Sequence, residues 1–357
     1  MLNPLKLDPT RTTTLRRQLA AEFSRRWQIV KRKLRELVVV EDAFALRPPE
    51  NPWPATLNRR WRLNTDAEKL AAFEGWLATE IEVSITGVSQ REMADAYWAA
   101  YVEEGYRKGA GRAFDDTRQA ARAAAATTPE SMAFYAGTKE EFLHAAFGSP
   151  VTVDKVKLLV TRTLKEIKNV GEAVTTKLVR ELADGLVQGQ NPHTIARHMA
   201  QTIDDIGKRR SVLIARTEIV RAHAEGQLDA FERLGVEELG VMAEWSTAGD
   251  ERVCPLCASL EGVVLTVEEA KGLIPRHPQC RCAWLPSNVG EKTTGQRRSR
   301  EEIRRAIKKS LEGELPKGRL IKGQEGRRYK DPETGRFTLK VRPPLSDRKI
   351  RSRWGGG

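Results

Sequence analysis

All four cysteines of this chain lie in one short stretch, and their spacing constrains the fold more than any other feature. They form two close pairs, Cys254-Pro255-Leu256-Cys257 and Cys280-Arg281-Cys282, and His277 stands just before the second pair. Cysteines three residues apart on a tight turn point toward one centre, and cysteines two apart on an extended segment leave the same face of the backbone. Two such pairs can close a tetrahedron of sulfur and nitrogen ligands around Zn2+. The sequence therefore predicts a structural zinc site.

The two pairs and the histidine supply one ligand too many, because a closed structural zinc site takes four. We expect Cys254, Cys257 and Cys280 to bind the ion together with either Cys282 or His277. Two disulfides or free buried thiols are the alternatives. Disulfides need an oxidising compartment, and nothing else in the sequence indicates one.

The residues between the pairs predict a small α+β module within 245–284. Glu261-Gly262 indicates a turn, and Val263 to Leu265 a short strand. Thr266 and Glu269 form a capping box that opens a short helix, which Gly272 ends. A module of this size buries little apolar surface, and a structural zinc ion contributes on the order of 10 kcal/mol to the folding of such modules.

Long amphipathic helices are predicted for most of the chain before this module. Aromatic residues make up 6% and charged residues 31%, a composition that suits extended helices. Asn191 and Pro192 have the pattern of a helix start. Gly105, Gly109 and Gly111 permit a close helix contact or a bend. Apolar residues recur at helical spacing over 12–37, 65–85, 89–126, 151–186 and 208–234.

The fold class that follows is mainly α, with a long-helix N-terminal body, a small α+β zinc-knuckle module and a basic, partly disordered C-terminal extension. We divide the sequence into four consecutive regions. They are a basic N-terminal helix and linker at 1–54, a helical region at 55–150, a domain at 151–290 that contains the Cys/His module, and the extension at 291–357. Within the extension, 299–312 is predicted to be a basic helix, 328–337 a hairpin, and 342–357 disordered.

The positive charge is concentrated at the two ends of the chain. The net charge is +13, of which residues 1–35 carry +8 and residues 291–357 carry +12, so the body between them is mildly acidic. Cationic ends are expected of segments that touch polyanions, and we predict nonspecific contact with double-stranded DNA. Solvated tails without a dedicated partner are the alternative. The candidate contacts are Arg16, Arg17, Arg25, Arg26, Lys31, Arg32, Lys33, Arg297, Arg298, Arg304, Arg305, Lys308 and Lys309.

Four further residues are assigned structural roles. Arg216 and Glu218 flank an otherwise apolar helix, where a buried pair would anchor the cysteine module to the helical body. Asp250 precedes the first cysteine pair, and we expect it to cap that loop or to accept a hydrogen bond from a neighbour of a metal ligand. Trp245 ends a predicted strand that leads into the module.

A catalytic zinc site is the main rival interpretation. Nucleobase deaminases combine His-x-Glu on one helix with Pro-Cys-x-x-Cys on another, and His223-Ala224-Glu225 precedes the first cysteine pair here. However, the proline follows Cys254 instead of preceding it, and Cys280 and Cys282 would have no role. We therefore predict no catalytic residues and no enzyme activity. No run approaches the ~18 apolar residues of a membrane helix, so we expect no membrane segment.

The cysteine motifs and their neighbours resemble the phage Mu F-like head morphogenesis proteins, which are minor capsid proteins of tailed phages. The resemblance spans 151–286 and leaves the segment from Glu291 onward uncovered. The matching motifs are Ala215-Arg216-Thr217-Glu218, Trp245-Ser246-Thr247 with Asp250, Cys254-Pro255-Leu256-Cys257, Gly262 and His277-Pro278-Gln279-Cys280-Arg281-Cys282.

This resemblance implies a low-copy virion protein inside the head near the portal vertex, made in the host cytoplasm during assembly. The implied partners are the portal protein, packaged DNA and, as further candidates, the major capsid or scaffolding protein. The implied role is head assembly, with genome delivery as an extension of it. A zinc-dependent nucleic-acid-modifying enzyme or a delivered effector is the alternative function.

Overall fold

The fold is given by a computed structural model. It describes residues 8–44, 65–87, 96–125, 137–235, 242–250 and 252–287, together with the backbone of short strands at 296–297, 319–323, 326–330 and 337–338. Several predictions lie outside the described residues, among them the linker at 47–54, the basic helix at 299–312 and the end at 342–357. The same holds for the candidate DNA contacts Arg298, Arg304, Arg305, Lys308 and Lys309, and only the backbone of Arg297 is described.

Helices make up most of the described chain, as the sequence predicts. The capping box of Thr65 and Glu68 opens the second helix, and the Asn191 side chain accepts the His193 N–H at 2.7 Å to cap the sixth. The helices are α1 (Thr13–Arg35), α2 (Asp66–Ile81), α3 (Tyr97–Ala125), α4 (Lys139–Phe147), α5 (Pro150–Val187), α6 (Pro192–Thr202) and α7 (Arg209–Arg233). Wider π-helical turns, which the sequence did not predict, extend α1 over Glu36–Val40, extend α2 over Glu82–Thr86 and join α6 to α7 over Ile203–Lys208.

The cysteine module folds around a small sheet. Its strands are β1 (Met242–Ser246), β2 (Val263–Leu265) and β3 (Ala283–Ser287), with β1 in the centre and antiparallel to both neighbours. The one-turn helices α8 (Pro255–Ala258) and α9 (Val267–Ala270) lie on either side of β2 in sequence, and β4 (Gln296–Arg297) pairs in parallel with β2. The predicted strand, capping box and terminal glycine of this module are confirmed.

A second sheet lies in the C-terminal extension. It comprises β5 (Arg319–Gly323), β6 (Gly326–Lys330) and β7 (Phe337–Thr338). Strands β6 and β7 are antiparallel, with Lys330 opposite Phe337, as the hairpin prediction requires.

The chain divides into two compact units, each assembled from separate stretches of sequence. One comprises Met1–Arg11, Lys108–Leu143 and His223–Gly357, and the other comprises Thr12–Arg107 and His144–Ala222. We name them the module unit and the helical unit, because the first contains the cysteines. The division of the sequence into four consecutive regions, at 1–54, 55–150, 151–290 and 291–357, remains a prediction.

Helix α1 lies in the core of the helical unit, where Phe23, Trp27 and Leu34 are fully buried. The indole N–H of Trp27 donates to the hydroxyl of Ser211 at 2.8 Å, which satisfies a polar group deep in the core. Helix α1 is therefore a core helix of this unit, and the helix predicted over 12–37 is confirmed.

Most of the cations predicted to contact DNA on α1 have intramolecular partners, and their contact with DNA remains a prediction. Arg16 is buried and donates to Thr13, while Arg25 and Arg26 both pair with Glu22. Lys31 pairs with Asp204 at 2.5 Å, and Lys33 with Glu80 at 2.6 Å. The reason is that long cationic side chains flanking an apolar stripe lay their stems along it and meet acids of neighbouring helices.

Two glycines of α3 mark places where helices pack backbone to backbone. In the module unit, a Cβ at Gly109 would lie 1.9 Å from the carbonyl oxygen of His223 on α7. In the helical unit, a Cβ at Gly105 would lie 3.3 Å from the carbonyl oxygen of Ile219. Of the two structures that these glycines permit, the chain therefore adopts the close helix contact.

Candidate metal centre

The first cysteine pair is positioned by the one-turn helix α8. Pro255 takes the first helical position, where its missing N–H costs nothing, and Cys254 is the N-cap. The Cys254 sulfur accepts the N–H of Cys257 at 3.3 Å, and the Cys254 carbonyl accepts the same N–H at 3.0 Å. Both side chains therefore leave the same side of one helical turn, as the spacing predicts.

The second pair is positioned by a tight turn that begins at His277. The N–H of Cys280 donates to the His277 carbonyl at 3.1 Å, and Gln279 adopts the left-handed conformation with φ of 64°. A side chain other than glycine is uncommon there, so the surrounding structure must hold it. This turn leads directly into β3, and it brings His277 and Cys280 toward the first pair.

All five predicted ligands come together in the structure. The Nε2 atom of His277 lies 3.2 Å from the Cys254 sulfur and 3.1 Å from the Cys257 sulfur, and the sulfurs of Cys257 and Cys280 are 3.9 Å apart. The ligand atoms form two overlapping groups that share Cys257: one with Cys254 and His277, the other with Cys280 and Cys282, and within each group they lie within 4.8 Å of one another. All four cysteines are buried, and none is paired in a disulfide.

These distances suit zinc. Bond lengths of about 2.3 Å to sulfur and 2.0–2.1 Å to nitrogen place tetrahedral ligands about 3.8 Å apart for two sulfurs and about 3.5 Å apart for a nitrogen and a sulfur. These three separations agree with those values to within about half an ångström. The two groups are not all within 4.8 Å of each other, so they must draw together for four ligands to share one ion. A cavity of about 20 Å³ borders Cys254, Cys257, His277 and Cys282, which is room for an ion or a water molecule.

The protonation of the cluster also suits a cation. Hydrogen bonding from Cys257 and then from His277 lowers the pKa of Cys254 to about 5, against the opposing effect of burial. Hydrogen bonding from Cys257 also holds the pKa of Cys280 well below its usual value. Thiolates are the form of cysteine that binds metals, so the fold favours the metal-binding form of these two ligands at neutral pH. Hydrogen bonding with Cys254 and Cys280 raises the pKa of Cys257, which must therefore lose its proton when the ion binds.

The ring of His277 is oriented by its second nitrogen. Its Nδ1 atom lies 2.7 Å from the carbonyl oxygen of Pro278, which can only accept, so Nδ1 carries a proton. Metal-binding histidines commonly donate this second N–H to a carbonyl, because the bond fixes the ring and directs the other nitrogen at the ion. Here that other nitrogen faces two cysteine sulfurs.

Asp250 ties the two cysteine segments together. Its carboxylate accepts the Arg252 N–H at 2.9 Å, and it accepts both terminal nitrogens of Arg281 at 2.8 and 2.5 Å. Arg281 stands between Cys280 and Cys282, so this bidentate bridge links the loop before the first pair to the turn of the second. Asp250 thus has both of the expected roles: it caps its own loop, and it binds Arg281, the neighbour of the candidate ligands Cys280 and Cys282.

We expect Asp250→Asn to weaken metal retention about ten- to a hundredfold at pH 7, because the second cysteine segment loses its charged link to the first. The Arg281 guanidinium lowers the pKa of Asp250 to about 2. The bridge between Asp250 and Arg281 therefore contributes its full stabilisation above the unfolded pKa of about 3.9, and this stabilisation is lost only as the pH falls toward 2. The measurement is the rate of zinc transfer to a coloured chelator.

Arg252→Ala is the matched control for this prediction, because the Arg252 side chain is 68% exposed and its ion pair with Asp250 is longer, at 3.3 Å. Equal loss of zinc from both variants would show that the bridge to Arg281 has no special part in holding the site.

The sheet beneath the cluster is held by two tryptophans and a glutamine. Trp245 and Trp284 face each other across β1 and β3, fully buried and edge to face with ring centroids 5.2 Å apart. The side-chain amide of Gln227 on α7 is also fully buried. It donates a hydrogen bond to the backbone carbonyl of Trp284 at 2.7 Å and accepts one from the backbone N–H of Trp284 at 3.0 Å. Gln227 was not predicted as a site residue, because an isolated glutamine on a helix gives no signal by which to find it.

The arginine and glutamate predicted to pair on α7 do not pair with each other. Glu218 is buried and lies 3.4 Å from both Arg162 of α5 and Arg221, whereas Arg216 is exposed. Residues two apart on a helix point in different directions, which is why this pair does not form. Burial nevertheless raises the pKa of Glu218, although both arginines oppose the shift. Glu218 thus holds α5 and α7 together inside the helical unit.

The residues of the deaminase interpretation do not join the cluster. His223 is fully buried, and the Glu225 carboxylate accepts the Gly272 N–H at 3.1 Å. Among the residues that the structure describes, neither belongs to the groups of ligand atoms close enough to share an ion.

Fold and site together define a mainly helical protein with a small Cys/His module able to hold one metal ion. Residues 176–285, about a third of the chain, match the family model described as Phage Mu protein F like protein. This segment includes α7, β1 and all five candidate ligands.

Neither a search of curated proteins nor a search of solved structures finds a match to this chain. Among the described residues, no helix is long and apolar enough to cross a membrane.

Proposed function

We propose that this chain is a minor structural protein of a tailed-phage head that acts in head assembly, with zinc holding its Cys/His module folded. The observation that carries the proposal is the coincidence of two features. The segment that matches the phage family contains the whole ligand cluster, and the five candidate ligands of that cluster lie in two groups that share Cys257.

The four ligands we assign are Cys254, Cys257, Cys280 and His277. The Nε2 atom of His277 is in contact with two sulfurs and its ring is oriented by Pro278, which is the arrangement of a ligand. Cys282 then becomes the fifth, outer thiol. Bound zinc would supply no reaction here and would contribute folding free energy to a module with few apolar residues.

A closed site argues for structure over catalysis, and we propose that the chain performs no turnover chemistry. Catalytic zinc keeps one position open for water and faces a substrate cavity, and small-molecule sites typically measure about 300–1,000 Å³. The cavity beside these ligands is about 20 Å³. The alternative is a zinc-dependent nucleic-acid-modifying enzyme or a delivered effector, which requires an open coordination position.

We propose that DNA contact by the helical unit runs along one exposed stripe of α1. Arg17, Arg32 and Arg35 are exposed, and none has an ion pair or hydrogen bond to its side chain among the described residues. With Arg25 they lie on one side of the helix over about 27 Å, at a rise of about 1.5 Å per residue. Arginines in such a row meet phosphates without reading bases.

We expect the triple variant Arg17→Glu, Arg32→Glu and Arg35→Glu to bind nonspecific duplex at least about tenfold more weakly at low salt. The slope of log affinity against log salt should fall by up to about three, because each lost phosphate contact removes about 0.9. Removing residues 291–357 should remove most of the remaining salt-sensitive binding. Fluorescence anisotropy with a labelled duplex at several salt concentrations measures both quantities.

The control places the same three charge changes at Lys165, Arg180 and Arg197, which are also exposed. Equal losses in the two triple variants would mean that only net charge matters and that the stripe is no binding surface.

We propose a position inside the head near the portal vertex, with the portal protein as the principal partner. Quantitative mass spectrometry of purified virions that encode this chain tests this proposal, together with cross-linking to the portal. We expect a few copies per particle and cross-links to the portal. A chain absent from the particles would refute the proposed function.

A further inference from the structure

A groove of about 360 Å³ runs along the helical unit between α5 and α2 with its π-helical extension. Its floor consists of apolar and small residues, among them Ala78, Ile81, Ile167 and Gly171. A Cβ at Gly171 would lie 2.9 Å from the Cγ2 atom of Ile81, so the glycine permits the close approach of the two helices. Ala78 is exposed at this surface even though it is apolar.

The groove is rimmed by carboxylates without partners. Glu74, Glu82 and Glu172 line it and are exposed, and none forms an ion pair with any residue that the structure describes. Lys168 is the single cation of the lining, which leaves an excess of two negative charges. By contrast, Glu80 of the same helix α2 lies outside the groove and is paired with Lys33. The unpaired acids of this helix pair thus border an apolar floor.

We propose that this groove docks a cationic amphipathic helix of a partner protein. Glu74 and Glu82 are eight residues apart, which is about 12 Å along a helix. A partner helix laid between them would place apolar side chains spaced i, i+3, i+7 on the floor, and its flanking lysines or arginines would meet the carboxylates. A polyanion is repelled by the same three groups, so the partner of this surface is a protein and not DNA.

The proposal stands apart from the zinc and DNA assignments, because no residue of the groove belongs to either. Charge complementarity predicts the chemistry of the partner helix, which carries an apolar stripe with cations on both sides. Such grooves gain affinity from apolar contact and gain selectivity and speed of association from charge.

The test uses the full chain and two labelled helical peptides of about 16 residues with the same leucine stripe, one flanked by lysines and the other by glutamates. We expect the lysine peptide to bind with salt-sensitive affinity and the glutamate peptide to bind at least about tenfold more weakly. Glu74→Lys with Glu172→Lys should weaken binding of the lysine peptide at least about tenfold, and Ala78→Trp should do the same by filling the groove without changing its charge.

Matched controls distinguish an effect at the groove from a general effect of net charge or of an added tryptophan. Glu103→Lys with Glu140→Lys makes the same change at exposed glutamates outside the groove, and Ala21→Trp adds the same side chain to an exposed position of α1. Circular dichroism verifies that each variant is folded. Failure of the lysine peptide to bind the native chain overturns the proposal, and so does equal binding by the groove variants and the controls.

Discussion

Replacing Cys257 with serine is expected to release the metal and to unfold the module over residues 242–287. Cys257 is the ligand common to both groups of the cluster, so its loss leaves two separate pairs of ligands, Cys254 with His277 and Cys280 with Cys282. A structural zinc ion contributes on the order of 10 kcal/mol to small modules of this kind, which is as large as the whole folding free energy of a typical domain. The helical signal should be largely retained, because the long helices lie outside 242–287.

Zinc content by mass spectrometry, tryptophan fluorescence and circular dichroism together measure this result. Trp245 and Trp284 are fully buried in the module, so their emission should shift to longer wavelength as it opens. Cys282→Ser is the matched control, and we expect it to keep the ion because His277 supplies the fourth ligand. Full metal retention by the Cys257 variant would mean that the site is built from other residues.

Gly109→Ala is expected to destabilise the protein by at least about 3 kcal/mol, the upper end of the usual cost of overpacking. The added carbon would lie 1.9 Å from the His223 carbonyl oxygen, and a backbone oxygen inside a helix cannot move aside as a side chain can. Helices α3 and α7 must therefore separate within the module unit. Urea denaturation followed by circular dichroism measures the change in unfolding free energy.

Gly75→Ala is the matched control, because Gly75 also lies inside a helix but a Cβ there meets nothing within 4 Å. Alanine is the better helix former by about 0.8–1 kcal/mol, so this variant should be slightly more stable than the native chain. The two substitutions are thus expected to change the unfolding free energy in opposite directions. Similar effects of both substitutions would contradict the close contact at Gly109.

Local chemistry made much of the site predictable from the sequence. The cysteine spacing, the capping box at Thr266 and the N-cap at Asn191 each depend on residues within a few positions of one another, and the structure shows the expected geometry. The metal cluster brings together only two short segments, both of which carry the residue types that zinc prefers.

Contacts between residues that are far apart in the chain could not be predicted from the sequence. On α1, Lys31 pairs with Asp204 and Lys33 with Glu80, residues far along the chain that the sequence pattern of this helix does not indicate. Glu218 similarly pairs with Arg162 and not with its near neighbour Arg216. A hydrophobic pattern shows which side of a helix is buried, but the helices that cover that side, and the charges they carry, follow from the tertiary fold.

X-ray absorption spectroscopy of the purified, reduced protein tests the central claim most directly, namely that protein ligands alone close a structural zinc site. We expect one zinc per chain with three sulfurs at about 2.3 Å, one histidine nitrogen at about 2.0–2.1 Å and no bound water. Protein free of zinc, or a zinc ion with a water oxygen in an open fourth position, would contradict it.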